Sequence, residues 1–377
     1  MKFCIDYQPA VQQVAGIGRY TRVLAAELAA MLPPEDSLKL FYYNFTRKIP
    51  TPSMERVETR SFRLLPGRIV DPTMNWFGIP FFDWLAGDAD VFHFTNFIAK
   101  PFRRGKAVAS VHDMSFVRFP QFAAGRNLAY LDRGLRRTVD STELILTISE
   151  FSKREIEEIL PETRGRVRTT LLGISEDFKP AAPAEIEAVK KQLGLERPFV
   201  LTVGTVEPRK NLPFLVSVFE RLAPLGIDLV VAGAPGWRYE PIFESFAKAE
   251  AKFPGRFHYV RFVPDGCLGA LYSAASLFAV ASFYEGFGFP PLEAMACGAP
   301  VLSSDGGSLP EVLGNAARVM SGFDADEWAA AALEIIQAPP DKRAEIVIAG
   351  QAQAAKYRWR KCAEETLAVY REAASNT

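Results

Sequence analysis

A chain of 377 residues is too long for one ordinary hydrophobic core and implies about two domains. With 49% hydrophobic residues it is expected to fold throughout, and equal totals of 44 basic and 44 acidic residues argue against a dedicated nucleic-acid binder. Four cysteines without a CxxC pair, three scattered histidines and no apolar run near the ~18 residues that span a bilayer exclude a disulfide scaffold, a metal cluster and a membrane-embedded chain.

The N-terminus, "MKFCIDYQPA", enters a strand at once and carries no signal-peptide pattern, so reduced thiols and a cytoplasmic protein are expected. After that strand, "AGIGRYT" is a glycine-rich loop opening a helix near Gly16. It lacks the third glycine of a dinucleotide fingerprint, and the next strand, "LKLFYYN", ends without a ribose-binding acid. A helix is expected around 73–86, where "MNWFGIPFFDWL" follows Arg60, Arg63 and Arg68. "DAD" at 88–90 reads as the boundary of the strand "VFHFT". "KAVASVHD" then brings His112 to a strand end, where a satisfied structural histidine and a functional one are both open readings. A helix after Phe122, the strand "ELILTIS", a helix from Glu150 and the strand "RVRTTLLG" complete the first half.

Residues 173–188, "GISEDFKPAAPAEIEA", read as a linker of prolines and alanines. A second series follows: "PFVLTVGT", "DLVVAG", "RFHYVRFV", "SLFAVAS", "PVLSSD" and "ARVM", with helical patterns between. Short apolar strands alternating with amphipathic helices predict parallel sheets covered on both faces. The expected fold is α/β, with two tandem Rossmann-like doubly wound domains facing a cleft. The expected domains are 1–180, 181–355 and a C-terminal helix, 356–377. Ligands of such sheets bind beyond the carboxyl ends of the strands.

Two strand ends in the second half carry charge. In "GTVEPRKNL", Arg209 and Lys210 precede a helix start, which suits a diphosphate as well as it suits a solvated basic turn. In "SFYEGFGFPPLEAMACGAP", Glu285 closes a strand, Gly286, Phe287 and Gly288 form a turn, and Glu293 lies in the following helix. The two acids can hold hydroxyls on either side of an anion, or simply face solvent and the helix dipole; the residues alone leave both open.

Taken together, "GIGRY", "VHDMSF", "TISEFSKREI", "GTVEPRKNL", "EGFGFPPLEAMACGAPV" and "SSDGGSLPEVLGNAA", in this order, resemble the retaining glycosyltransferases of the GT-B fold, family 4. "HDMSFVRFP" and "GIGRYTRVL" look most like its mannosyltransferase-type members in polysaccharide biosynthesis. The resemblance implies that Glu293 binds nucleotide ribose and that Glu285 meets hydroxyls of the transferred sugar. It also implies that Arg209, Lys210 and backbone N–H groups around Gly286, Phe287 and Gly288 hold the diphosphate without a metal. Gly16 would let backbone approach the sugar-phosphate, and His112 would orient the donor sugar. The implied donor is a nucleoside-diphosphate sugar, GDP-mannose by expectation, with no cofactor, and the acceptor a saccharide or lipid-linked saccharide. A nucleotide-sugar epimerase or hydrolase on the same fold is the alternative, one that turns over donor without acceptor. Such chains end in a helix returning to the first domain, which "YRWRKCAEETLAVYREA" (357–373) resembles. The aromatic stretch 74–85 admits two readings, a core helix and a peripheral contact at the inner membrane face; the core is favoured, because aromatic stripes mostly fill cores.

Overall fold

The computed structural model describes residues 1–13, 16–122, 128–264 and 266–375. The chain divides into two compact units, Met1–Gly173 with Arg358–Thr377, and Ile174–Tyr357.

The first unit contains β1 (Lys2–Asp6), α1 (Gln8–Gln12), α2 (Ile17–Met31), β2 (Ser37–Tyr43), β3 (Val57–Phe62), α3 (Gly67–Phe77) and α4 (Phe82–Ala86). It continues through β4 (Val91–Phe94), β5 (Lys106–Ser110), α5 (Ser115–Arg118), α6 (Leu128–Ser141), β6 (Leu144–Thr147), α7 (Glu150–Ile159) and β7 (Val167–Thr169). Its seven strands are ordered β3-β2-β1-β4-β5-β6-β7, and every pair is parallel. Strands such as β4, "VFHF", are buried at every position, as a sheet covered on both faces requires.

The second unit runs α8 (Pro183–Leu193), β8 (Phe199–Val203), α9 (Leu212–Leu222), β9 (Asp228–Ala232), α10 (Glu240–Lys252), β10 (Phe257–Val260) and α11 (Leu268–Ala274). There follow β11 (Leu277–Val280), α12 (Phe289–Ala296), β12 (Val301–Ser304), α13 (Leu309–Leu313), β13 (Arg318–Met320), α14 (Ala325–Ile336) and α15 (Pro340–Ala354). Its six strands are ordered β10-β9-β8-β11-β12-β13, again all parallel. The core lies between this sheet and the apolar faces of α9, α10 and α14, where Phe219, Phe246 and Trp328 are buried.

The last helix, α16 (Trp359–Ser375), belongs to the first unit. It buries Trp359, Cys362, Leu367 and Tyr370, an apolar stripe at helical spacing. The Tyr370 hydroxyl bonds His93 Nδ1 on β4 at 2.6 Å, and Arg168 donates to Glu372 at 2.5 Å.

Four sequence expectations change. Strand β3, "VETRSF", was not anticipated: it is a sheet-edge strand whose alternating, half-exposed residues lack the continuous apolar run of its neighbours. The single helix expected at 73–86 is two, because α3 ends at Gly78 in a left-handed conformation and Pro80 precedes α4. The linker expected at 173–188 closes earlier, because Pro183 occupies the first position of α8. The domain boundaries fall at 173/174 and 357/358 rather than 180/181 and 355/356. The start of the helix expected after Phe122 lies outside the described residues.

Candidate active site

In the second unit the chain reverses its progression across the sheet between β8 and β11, which are neighbours although distant in sequence. Loops leaving the carboxyl ends of such a pair flank the crevice where ligands of open α/β sheets sit. The loop after β8 carries Glu207, Arg209 and Lys210, the last two in a short 3-10 turn. The loop after β11 carries Ser282, Glu285 and Gly288.

These loops meet at one carboxylate. Glu285 Oε1 accepts from Lys210 Nζ at 2.6 Å and from Ser282 Oγ at 2.6 Å. Glu285 Oε2 accepts from Arg209 Nη1 at 2.8 Å. The same Nη1 donates to the Tyr284 carbonyl at 2.6 Å, while Nη2 donates to Glu207 Oε1 at 2.6 Å. Burial opposes charge on Glu285, but Arg209 and Lys210 outweigh it and hold the carboxyl down at about 2. Glu207 goes the other way: burial pushes its carboxyl up, against the pull of Arg209 and Lys210. A narrow cavity beside the cluster is lined by Gly204, Lys210, Ser282, Glu285, Gly288 and Pro290.

The backbone of Glu285 is fixed from the loop after β12. It bridges Gly307, and both the N–H and the hydroxyl of Ser308 donate to its carbonyl, at 2.9 and 3.0 Å. A Cβ at Gly307 would stand 2.3 Å from that carbonyl oxygen, so "DGGS" needs glycine there for close approach.

Gly288 is the residue before α12, and the next three are Phe289, Pro290 and Pro291. The prolines remove two of the four N–H groups a helix start normally offers, so anion binding there rests on few backbone donors. The Phe287 side chain is buried against Phe289 and Tyr357, with ring centroids 5.2 and 5.5 Å away, so only its backbone can serve a ligand. Gly286 lies in the same turn. Glu293 is buried on α12, where the Tyr272 hydroxyl donates to Oε2 at 3.0 Å, and it is not among the residues lining the cavity.

Gly16 and His112 are in the first unit, and Tyr20 links them. The Tyr20 N–H donates to the Gly16 carbonyl at 3.0 Å, and its ring meets His112 edge-on at 5.0 Å. Gly16 has φ 58° and ψ −123°, a conformation that strains any residue with a side chain. His112 Nε2 lies 2.9 Å from the Thr95 carbonyl, which only accepts, so the proton is on Nε2 and Nδ1 is the acceptor. Burial lowers the affinity of His112 for a second proton, which keeps the ring neutral.

The structure thus gathers Arg209, Lys210 and Glu285 at one point and keeps Glu293 on the adjoining helix. Sequence reading missed Glu207, Ser282 and Ser308. Glu207 sits within the charged motif it serves, and Ser282 ends the strand before Glu285, but pairing across 75 residues, as between Lys210 and Glu285, leaves no local signal.

Residues 184–353 match the family "Glycosyl transferases group 1". Over 98% of its length the chain is 33% identical to "O-antigen chain mannosyltransferase B" of Escherichia coli, and it covers 100% of that protein. The chain belongs to the group 1 glycosyltransferases. Among solved structures, sucrose-phosphate synthase of Thermosynechococcus elongatus superposes with a TM-score of 0.77 at 19% identity, covering 99% of this chain and 98% of that one. Anabaena HepE in complex with UDP-glucose gives 0.71 at 18% identity, covering 98% and 99%. These likenesses establish the fold: two parallel-sheet α/β domains of the GT-B type.

Proposed function

We propose that this glycosyltransferase moves a mannosyl residue from GDP-mannose to a saccharide or lipid-linked saccharide in polysaccharide biosynthesis, with retention of configuration and without a divalent metal. The observation that carries the reading is the cluster of Arg209 and Lys210 on Glu285 at the switch point. The similarity to an O-antigen chain mannosyltransferase favours mannose.

Arg209 is held by Glu285, Glu207 and the Tyr284 carbonyl, and Lys210 by Glu285, so both cations are fixed in place. Both cations lie beside the cavity, where their positive charge can meet the two phosphates of a nucleoside diphosphate. As the glycosidic bond to phosphate breaks, negative charge grows on the leaving oxygen, and cations already held in place stabilise that state more than the ground state. Glu207 anchors the guanidinium from the buried side, so Arg209 needs no reorganisation during the step. Glu285 holds both cations and faces the cavity, where its carboxylate can accept from hydroxyls of the donor sugar. Glu293 accepts from ribose hydroxyls. Retention follows a front-face route: the acceptor hydroxyl attacks on the side the phosphate leaves, and a phosphate oxygen takes its proton.

Calorimetry with GDP, UDP and ADP at equal concentration tests the donor, with GDP expected to bind best. Binding no better than inorganic phosphate for all three would sink the transferase chemistry. Turnover of GDP-mannose only when acceptor is present separates transfer from hydrolysis or epimerisation, and the anomeric signal of the product reads retention directly.

A further inference from the structure

Exposed large apolar side chains concentrate in α3, α4 and the chain beside them, far in sequence from the switch-point cluster. Leu64 is 78% exposed, Trp76 72%, Phe77 76% and Trp84 55%, and Ile69 and Ile79 are exposed with them. The expected core helix is therefore only half right. Val70 and Met74 of α3, and Phe82 of α4, pack into the core with Phe41 and Tyr43. The other side of α3, with Ile69 and Trp76 two turns apart, is also apolar and is exposed. A helix apolar on both sides is not finished by water, and a patch of this kind marks an interaction surface.

The rim is cationic. Arg133 of α6 lies over the Trp76 ring at 5.8 Å, and Arg137 donates to the Asn75 carbonyl. Arg103 lies over the Phe81 ring at 5.2 Å, and Phe81 packs edge-on against Trp84 at 4.9 Å. Arg63 and Arg68, next to Leu64 and Ile69 in the chain, and Arg104, next to Arg103, are exposed as well. Acids of the segment turn inward: Asp71 pairs with Lys100 at 3.4 Å and accepts from the Tyr43 hydroxyl, and buried Asp83 accepts the Arg103 N–H at 3.0 Å. Arg60 is not part of the rim, since its guanidinium is against Gly87.

From this juxtaposition of exposed Trp76, Phe77 and Trp84 with an arginine rim, we infer that the α3–α4 face docks on an anionic lipid bilayer. Tryptophan and phenylalanine seat in the interface between headgroups and acyl chains, and arginines beside them reach the phosphates. A second copy of the chain is a poorer occupant, because a two-fold contact would bring two arginine rims together. Docking would be peripheral: no helix among the described residues is long and apolar enough to cross a membrane. The inference does not depend on the proposed donor, and it brings the enzyme to the surface where a lipid-linked acceptor would reside.

Sedimentation of the full chain with vesicles decides it. Phosphatidylcholine vesicles containing about 30% phosphatidylglycerol should pellet the protein at low salt, and pure phosphatidylcholine should not. Trp76→Ser with Phe77→Ser and Trp84→Ser should lower the partition coefficient at least about tenfold. Arg103→Ala, Arg104→Ala and Arg133→Ala should each lower it roughly fivefold, with the loss shrinking in high salt. Melting temperature and nucleoside-diphosphate binding serve as controls for folding. Quenching of wild-type tryptophan fluorescence by brominated lipid gives a second reading that needs no variant. Wild-type protein left in the supernatant at low salt, or absence of quenching, overturns the inference. So does a concentration-dependent dimer, seen by light scattering, that the triple serine variant abolishes while vesicles bind neither protein.

Discussion

Replacing Glu285 by Gln keeps the shape of the side chain and removes the carboxylate charge to which Arg209 and Lys210 both donate. The carboxyl is held at about 2 against an ordinary value of 4.5, because the two cations outweigh its burial. That difference corresponds to about 3 kcal/mol of stabilisation at neutral pH. For a unit of this size the loss corresponds to a fall in Tm of roughly 6–12 °C. The pH dependence gives the sharper test. A carboxylate with a depressed pKa contributes fully above its unfolded value and loses that contribution as pH falls through the folded one. The gap between wild type and Glu285→Gln should therefore be constant from pH 7 to about 5, and close as the pH falls from 4.5 toward 2. Urea unfolding followed by tryptophan fluorescence at a series of pH values measures it. Saturating nucleoside diphosphate at pH 7 should narrow the gap, because phosphate offers the cations another anion. Turnover should fall while nucleoside-diphosphate affinity is kept or raised. A variant as stable as wild type at pH 7, or a gap independent of pH, would refute the assignment of Glu285 as the anchor of the cation pair.

Glu293→Ala should weaken nucleotide binding by about 1.5–3 kcal/mol, read by calorimetry, since a charged acceptor would be lost from a hydroxyl; unchanged GDP affinity would remove Glu293 from the ribose site. Lys210→Ala should lower kcat more than nucleoside affinity, and wild-type activity should survive excess EDTA; abolition by EDTA with rescue by manganese would replace the metal-free mechanism. Tyr370→Phe should cost the first unit about 1–3 kcal/mol in chemical denaturation, because it strands buried His93 Nδ1. His93, held neutral by burial and by His112 down to about 3, should make that unit less stable as pH falls below 6.5, and His93→Asn should flatten the slope.

The order of elements was largely legible from the sequence. Continuous apolar runs such as "VFHF" and "LFAV" announce buried parallel strands because both faces of those strands are covered, and the intervening 3.6-residue periodicity announces the helices. Glycine and proline placement marked where α12 begins and where its turn lies, since backbone constraints of this kind are local. Resemblance over a series of motifs pointed to a GT-B glycosyltransferase, and the comparisons show the group 1 glycosyltransferases.

Tertiary structure decided what depends on partners distant in the chain. Sequence could mark Arg209, Lys210 and Glu285 as candidates, but only the adjacency of β8 and β11 places them on one another, with Glu207 behind and Ser308 fixing the backbone. Strand β3 escaped notice because an edge strand needs no continuous apolar run, and half-exposed alternation is a weak signal. The aromatics of 74–85 show the limit most clearly. Their composition is equally that of a core and of an interface, and the choice is made by whichever face of α3 the sheet happens to cover. Here the sheet covers Val70 and Met74 and leaves Trp76 and Phe77 in the open, a difference of two positions on one helix that no local pattern fixes.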